Sequence, residues 1–343
     1  MPDVSRAHLL EVSRLPTTDY PRGLSFDRHG ALLACGAADG TVTVVAAESG
    51  ELLWQIRLPD SVSQLAFSPV DDVLAVACFD GTTRLFDDAG VERAKLPGAK
   101  AGWVEWLAWS KTGLLATAQG RCARVWSALG IPVLETPAHE STVSGVAFSA
   151  DGKHLVTSCY GAVRLFPLEA HVESKLLTWK SSLLSLTPSP DDKVIAVATQ
   201  DNSVHFWRLG AKKSGTENDS EMSGYPAKPT QLAWSPDSKL LMTGGSDVIC
   251  GWRFEGRGPE GTKPLMLKGH EQVVSALTFS RAGLLASGAL DGDVLVWEPG
   301  KSPKPIGIAP MNGEVSALCF SPGGALLGGC DECGVVTWRV KRL

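Results

Sequence analysis

Residues 273–297 read VVSALTFSRAGLLASGALDGDVLVW, with Gly269-His270 just upstream. Three strand-like runs lie in this stretch. Val274 to Ser280 alternates apolar and polar residues, Leu285 to Ala289 is small and apolar, and Asp293 to Trp297 alternates again. Alternation with period two fits a strand with two unlike faces. The pair Asp291-Gly292 separates the second run from the third, and Asp-Gly between such runs is a strong hairpin signal.

The same pattern recurs along nearly the whole chain. An apolar-x-aromatic anchor closes the first strand of each unit: Leu24-Ser-Phe26, Leu65-Ala-Phe67, Leu107-Ala-Trp109, Val146-Ala-Phe148, Leu232-Ala-Trp234, Leu277-Thr-Phe279 and Leu318-Cys-Phe320. In the fifth unit, Leu186-Thr-Pro188, a proline takes the aromatic place, so that strand is expected to end early. The anchors lie about 39 to 46 residues apart, in or near the period of four-stranded propeller blades. Third strands close on Val45, Phe86, Trp126, Phe166, Trp207, Trp252, Trp297 and Trp338.

Taken together, these units resemble the WD-repeat family over about residues 8 to 340. No single copy is decisive, but eight in succession are highly specific. The resemblance implies a hydrogen-bonded set at the top of a blade: a His before the first strand, a Ser or Thr on the second, the turn Asp, and a Trp on the third. Only the seventh unit matches throughout, with His270, Ser287, Asp291 and Trp297. The fourth keeps His139 and Thr157 but lacks the Asp and has Phe166. A buried polar set stabilises a fold only when every member is paired.

The fold class expected is all-β: a single closed propeller of four-stranded antiparallel blades, eight in number, with seven as the alternative. The repeats start near residues 20, 61, 103, 142, 182, 228, 273 and 314, and residues 1–343 form one domain. A four-stranded sheet alone leaves edges and a bare face, so blades must pack radially and the ring must close. The eighth set has no room for a fourth strand after Trp338-Arg-Val340. Residues 8–15 resemble Leu52-Leu-Trp-Gln-Ile-Arg-Leu58, including the Arg-Leu-Pro ending, and are expected to supply that outer strand. Residues 210–229, rich in Gly, Ser and charge, read as a mobile loop in the fifth blade.

The chain has 343 residues, 44% hydrophobic and 20% charged, which suits a folded protein with a large core. A net charge of −5 gives no support for binding nucleic acid or anionic membranes. No apolar run approaches the roughly 20 residues of a membrane span, and the first residues lack a signal-peptide core. The protein is therefore read as cytoplasmic and monomeric. The eight cysteines lie mostly in apolar strand runs, as expected of free buried thiols in a reducing compartment.

No nucleophile elbow, zinc-protease helix or dinucleotide fingerprint is present. Gly300-Lys-Ser302 looks like the end of a phosphate loop, but prolines flank it where a helix should begin. Cys330-Asp-Glu-Cys333 has metal-ligand spacing at the last hairpin, and a tetrahedral zinc site would need two further ligands. The leading reading is a non-enzymatic scaffold that binds a protein or peptide partner on its top face. Zinc handling through Cys330 and Cys333 is the alternative, and a loop-built enzyme comes third. Repeat register places Tyr20, Arg22, Phe79, Trp103, Glu105, Tyr160, Gln200 and Asp331 on the top face. Trp106 fills a slot where other units carry small or amide side chains, and is expected to narrow the axial channel.

Overall fold

The computed structural model describes residues 9–98, 102–169, 171–213, 216–256, 258–332 and 334–341, with the side chains of 211–218 outside that description. Thirty-two strands among these residues form eight antiparallel four-stranded sheets, the eight blades of a propeller. Their first strands begin at Pro21, Val62, Trp106, Gly145, Leu183, Gln231, Val274 and Ala317. Seven blades take their strands in sequence order. The eighth joins Ala317–Phe320, Leu326–Asp331 and Gly334–Val340 to Leu9–Pro16 from the start of the chain. The closing pair runs from Leu9 opposite Val340 to Pro16 opposite Gly334, with a register shift between Glu11 and Ser13. The seven-bladed alternative is thereby excluded.

Repetition of side chains explains repetition of packing. The second-strand residue opposite each anchor is Leu33, Leu74, Leu115, Leu155, Ile195, Leu241, Leu285 or Leu327, and all eight are fully buried. Each side chain of this size contributes about 1.5–3 kcal/mol on burial. Eight apolar clusters lie among the described residues, and each draws on two successive blades. The core is thus a ring of interfaces rather than a centre. A close-packing slot on the second strand keeps residues small: Gly36, Ala77, Ala118, Ser158, Ala198, Gly244, Gly288 and Cys330. A methyl on Gly288 would come within 2.3 Å of Val315 Cγ1 in the next blade.

Two expectations about the fifth blade need correction. Its first strand does not end early, because Leu183–Pro188 retains the proline as its last residue, opposite Ile195. The Ser189 N–H donates to the Val194 carbonyl. Pro188 therefore occupies a non-hydrogen-bonded ladder position, where a missing N–H costs nothing. Within 210–229, read as a loop, Thr216–Met222 is the fourth strand and pairs with Ser203–Lys213. The polar side chains of that strand hid it, because an edge strand need bury little.

Candidate functional site

The top face carries the hairpins between second and third strands and the loops that enter each first strand. In the seventh blade these loops are held by the polar set. His270 Nε2 lies 2.8 Å from Ser287 Oγ, and the Trp297 indole N–H donates to the same oxygen at 2.8 Å. His270 Nδ1 lies 3.2 Å from Asp291 Oδ2. Asp291 also accepts the backbone N–H groups of Glu271 and Asp293. Those donors and the nearby imidazole hold the Asp291 carboxyl below its ordinary range, against the opposing effect of burial. The fourth blade keeps a shortened version, His139 Nε2 to Thr157 Oγ1 at 2.8 Å. The sixth solves the problem differently. Tyr225 OH accepts from the Trp252 indole at 2.6 Å and from Thr243 Oγ1 at 3.0 Å. Sequence reasoning missed this substitution because Tyr225 lies next to a polar stretch.

Across blades one to three the top face carries a run of stacked side chains. Phe79 follows the second strand of blade two, just before the Asp80-Gly81 turn, and its N–H donates to the Ser61 carbonyl. Trp103 precedes the first strand of blade three, between Gly102, with φ of 102°, and buried Val104. The two rings stack at 5.4 Å with 29° between their planes. The Arg22 guanidinium from blade one also lies over the Phe79 ring, 5.6 Å from its centroid. Glu105 completes the run. Burial pushes its carboxyl above the ordinary range, and a hydrogen bond involving Trp103 opposes that shift. The stack contributes about 0.5–1.5 kcal/mol and the exposed cation–π contact about 0.5–1 kcal/mol. Trp103 nonetheless stays 50% exposed.

The other residues placed on this face behave unlike one another. Tyr20 is exposed, with its N–H bound to Asp19 Oδ1. Tyr160, 59% exposed, stands at the turn of blade four, and Gln200 is exposed at that of blade five. Neither takes part in the Arg22–Phe79–Trp103 stack among the described residues. Asp331 is not a surface group. It is 1% exposed and accepts N–H groups from Asn312, Gly313 and Gly334, which makes it a loop clamp. Trp106 does not narrow the channel. It packs on the cluster between blades three and four, where Ala116, Ala118 and Ala123 leave room for an indole.

Cys330 was expected in an exposed turn and instead lies in the strand Leu326–Asp331, fully buried. Its Sγ is 3.2 Å from Ser316 Oγ, and burial pushes the thiol up to about 12. Cys35 and Cys319 belong to the same apolar cluster. Cys333 lies outside the described residues. No group of three or more His, Cys, Asp or Glu side chains with metal-binding geometry occurs among the described residues.

Comparison with known proteins supplies the context. The profile described as "WD domain, G-beta repeat" matches residues 50–87, 130–166, 172–208, 220–252 and 261–298, together more than half of the chain. The chain is 24% identical over 296 residues to telomerase protein component 1 of Mus musculus, covering 80% of this chain and 10% of that protein. It is 25% identical over 309 residues to the WD repeat-containing protein WDS homolog of Arabidopsis thaliana, covering 82% and 56%. The chain thus spans between a tenth and just over half of these relatives. The crystal structure of the computationally designed Ika8 protein superposes with a TM-score of 0.80 at 22% identity, covering 96% of this chain and all of that one, a likeness of fold.

Proposed function

This chain belongs to the WD-repeat family, and on that premise we propose that it is a non-enzymatic scaffold whose top face binds a protein or peptide partner through blades one to three. One observation carries the reading. Arg22, Phe79 and Trp103 come from three successive blades yet form one continuous stack, and its outer ring is half exposed. Half-exposed tryptophan beside arginine is the composition of interface anchors, where few residues hold most of the binding energy. Stacking fixes the rings before a partner arrives, which lowers the entropy lost on binding. A cytoplasmic setting agrees with the free thiols, none of which is exposed among the described residues. No helix among the described residues is long and apolar enough to cross a membrane.

The test is affinity capture from the native cell with the intact protein and three variants. Loss of one and the same partner with Phe79→Ala and with Trp103→Ala, by about tenfold or more, and its retention with Arg281→Ala on the opposite face, is the expected result. A partner held equally by all four proteins would refute the assignment of the site.

A further inference from the structure

The face opposite the top carries the turns between first and second strands, and successive turns interlock. A methyl placed on the turn glycine would come within 2.8 Å of Val70 at Gly113, 3.1 Å of Thr112 at Gly152, 3.5 Å of Ser280 at Gly324 and 3.1 Å of Ser321 at Gly30. Gly283, at the same position in blade seven, meets nothing within 4 Å. The turns of blades six and seven are therefore parted. A cavity of about 430 Å³ opens between them, with Phe279 and Leu240 among its apolar lining and Lys239, Arg253 and Arg281 among its cations.

Arg281 is the unusual member. Its counterpart in blade one is Arg28, two residues before the turn glycine. Arg28 Nε and Nη2 donate to Asp72 Oδ1 and Oδ2 at 2.8 and 3.0 Å, a fork-on-fork clasp to the next blade. In blade eight the position of Asp72, four residues after the turn serine, is Ala325. Arg281 has thus lost its carboxylate. It is exposed and makes no hydrogen bond or ion pair among the described residues. The remaining charges do not neutralise the cavity. Glu255 is shared by Lys239 at 3.3 Å and Arg253 at 4.0 Å, and Asp237 accepts from Ser235 Oγ and the Lys239 N–H. Three cations thus face two carboxylates in a protein whose net charge is −5.

We propose that this cavity binds a phosphate monoester carried on an aromatic body, with the Arg281 guanidinium clasping the phosphate as Arg28 clasps Asp72 and the ring resting on Phe279. The volume lies in the range of small-molecule sites, and a dianion suits the local excess of positive charge better than a single carboxylate. The site is independent of the top face.

The probes are phenyl phosphate, inorganic phosphate and benzoate, titrated calorimetrically at fixed ionic strength. Phenyl phosphate binds at least about fivefold more tightly than either of the others, since only it engages both the ring lining and the cations. Arg281→Ala weakens it by about tenfold or more. Ala325→Asp does the same by restoring the internal partner, and Arg281→Lys, which keeps charge but not the fork, falls between. Both positions are exposed, so unfolding midpoints stay unchanged and the variants remain comparable. Failure of phenyl phosphate to bind at about 10 mM, equal affinity for all three probes, or binding indifferent to Arg281→Ala and Ala325→Asp would each overturn the proposal.

Discussion

Ser287→Ala removes one oxygen from the centre of the seventh blade. That oxygen accepts the Trp297 indole N–H and contacts His270 Nε2, each at 2.8 Å, and Ser287 and Trp297 are wholly buried. The variant leaves the indole N–H and one imidazole nitrogen without a partner. Each such group costs about 1–3 kcal/mol, so the loss should total about 2–4 kcal/mol, a little being returned by the apolar methyl. With a urea slope of about 3 kcal/mol/M, the midpoint should fall by roughly 0.7 to 1.3 M. Ser287→Thr keeps the hydroxyl, as blade four does naturally with Thr157 bound to His139. It should cost under about 1 kcal/mol. Urea unfolding followed by tryptophan fluorescence measures both. If Ser287→Ala falls within about 0.5 kcal/mol of the parent, the polar set is not what stabilises this blade and the reasoning fails.

Other consequences can be checked in the same way. His205 is buried between Trp179, stacked at 3.6 Å, and Trp207, at 4.4 Å. Asp219 Oδ2 lies 3.3 Å from its Nε2 but outside hydrogen-bonding geometry, and burial lowers the imidazole to about 4 against the pull of Asp219 and Glu221. The neutral form is favoured by folding, so this stability is complete above the unfolded value near 6.5 and is lost as pH falls toward 4. Between pH 7 and pH 5 the parent should lose about 1–2 kcal/mol more than His205→Phe; equal losses in urea titrations would contradict this. Gly288→Ala should destabilise by about 1–3 kcal/mol through the clash with Val315. Gly323→Ala, with open space around it, should stay within about 0.5 kcal/mol in the same assay. Cys330 should resist iodoacetamide at pH 8 in the native protein, because little thiolate exists when burial pushes the thiol up to about 12. Rapid labelling, or stoichiometric zinc lost with Cys330→Ser, would restore the metal reading.

What the sequence disclosed, and what it withheld, follows from the repeat. Anchors such as Phe279 and closers such as Trp297 recur at fixed backbone positions, so strand order and the ring were legible. The closing strand could be read because its Arg-Leu-Pro ending is repeated in blade one. Arg22, Phe79 and Trp103 were placed on one face by register, but their stacking depends on three blades meeting and leaves no local pattern. Where register misled, a neighbour decided the outcome. Trp106 was assigned to the channel from its own slot, whereas the alanines of its partner strand drew it between blades. Asp331 and Cys330 looked like turn residues, but this hairpin is one residue shorter than that of blade seven, which keeps both inside the strand.

The pairing of Leu9–Pro16 with Gly334–Val340 has a consequence for synthesis. A ribosome makes chain in one direction, so this early strand has no sheet to join until residues beyond 334 have emerged. Until then Leu9 and Val12, which pack into the seam clusters of the finished ring, face water or a chaperone. The entropy of bringing such distant segments together grows only with the logarithm of the separation, by about 0.6 kcal/mol per doubling. Circularisation therefore costs the finished fold little in free energy and mainly delays its completion. A permuted gene that moves this strand behind Val340 would shorten the wait while leaving the native contacts intact.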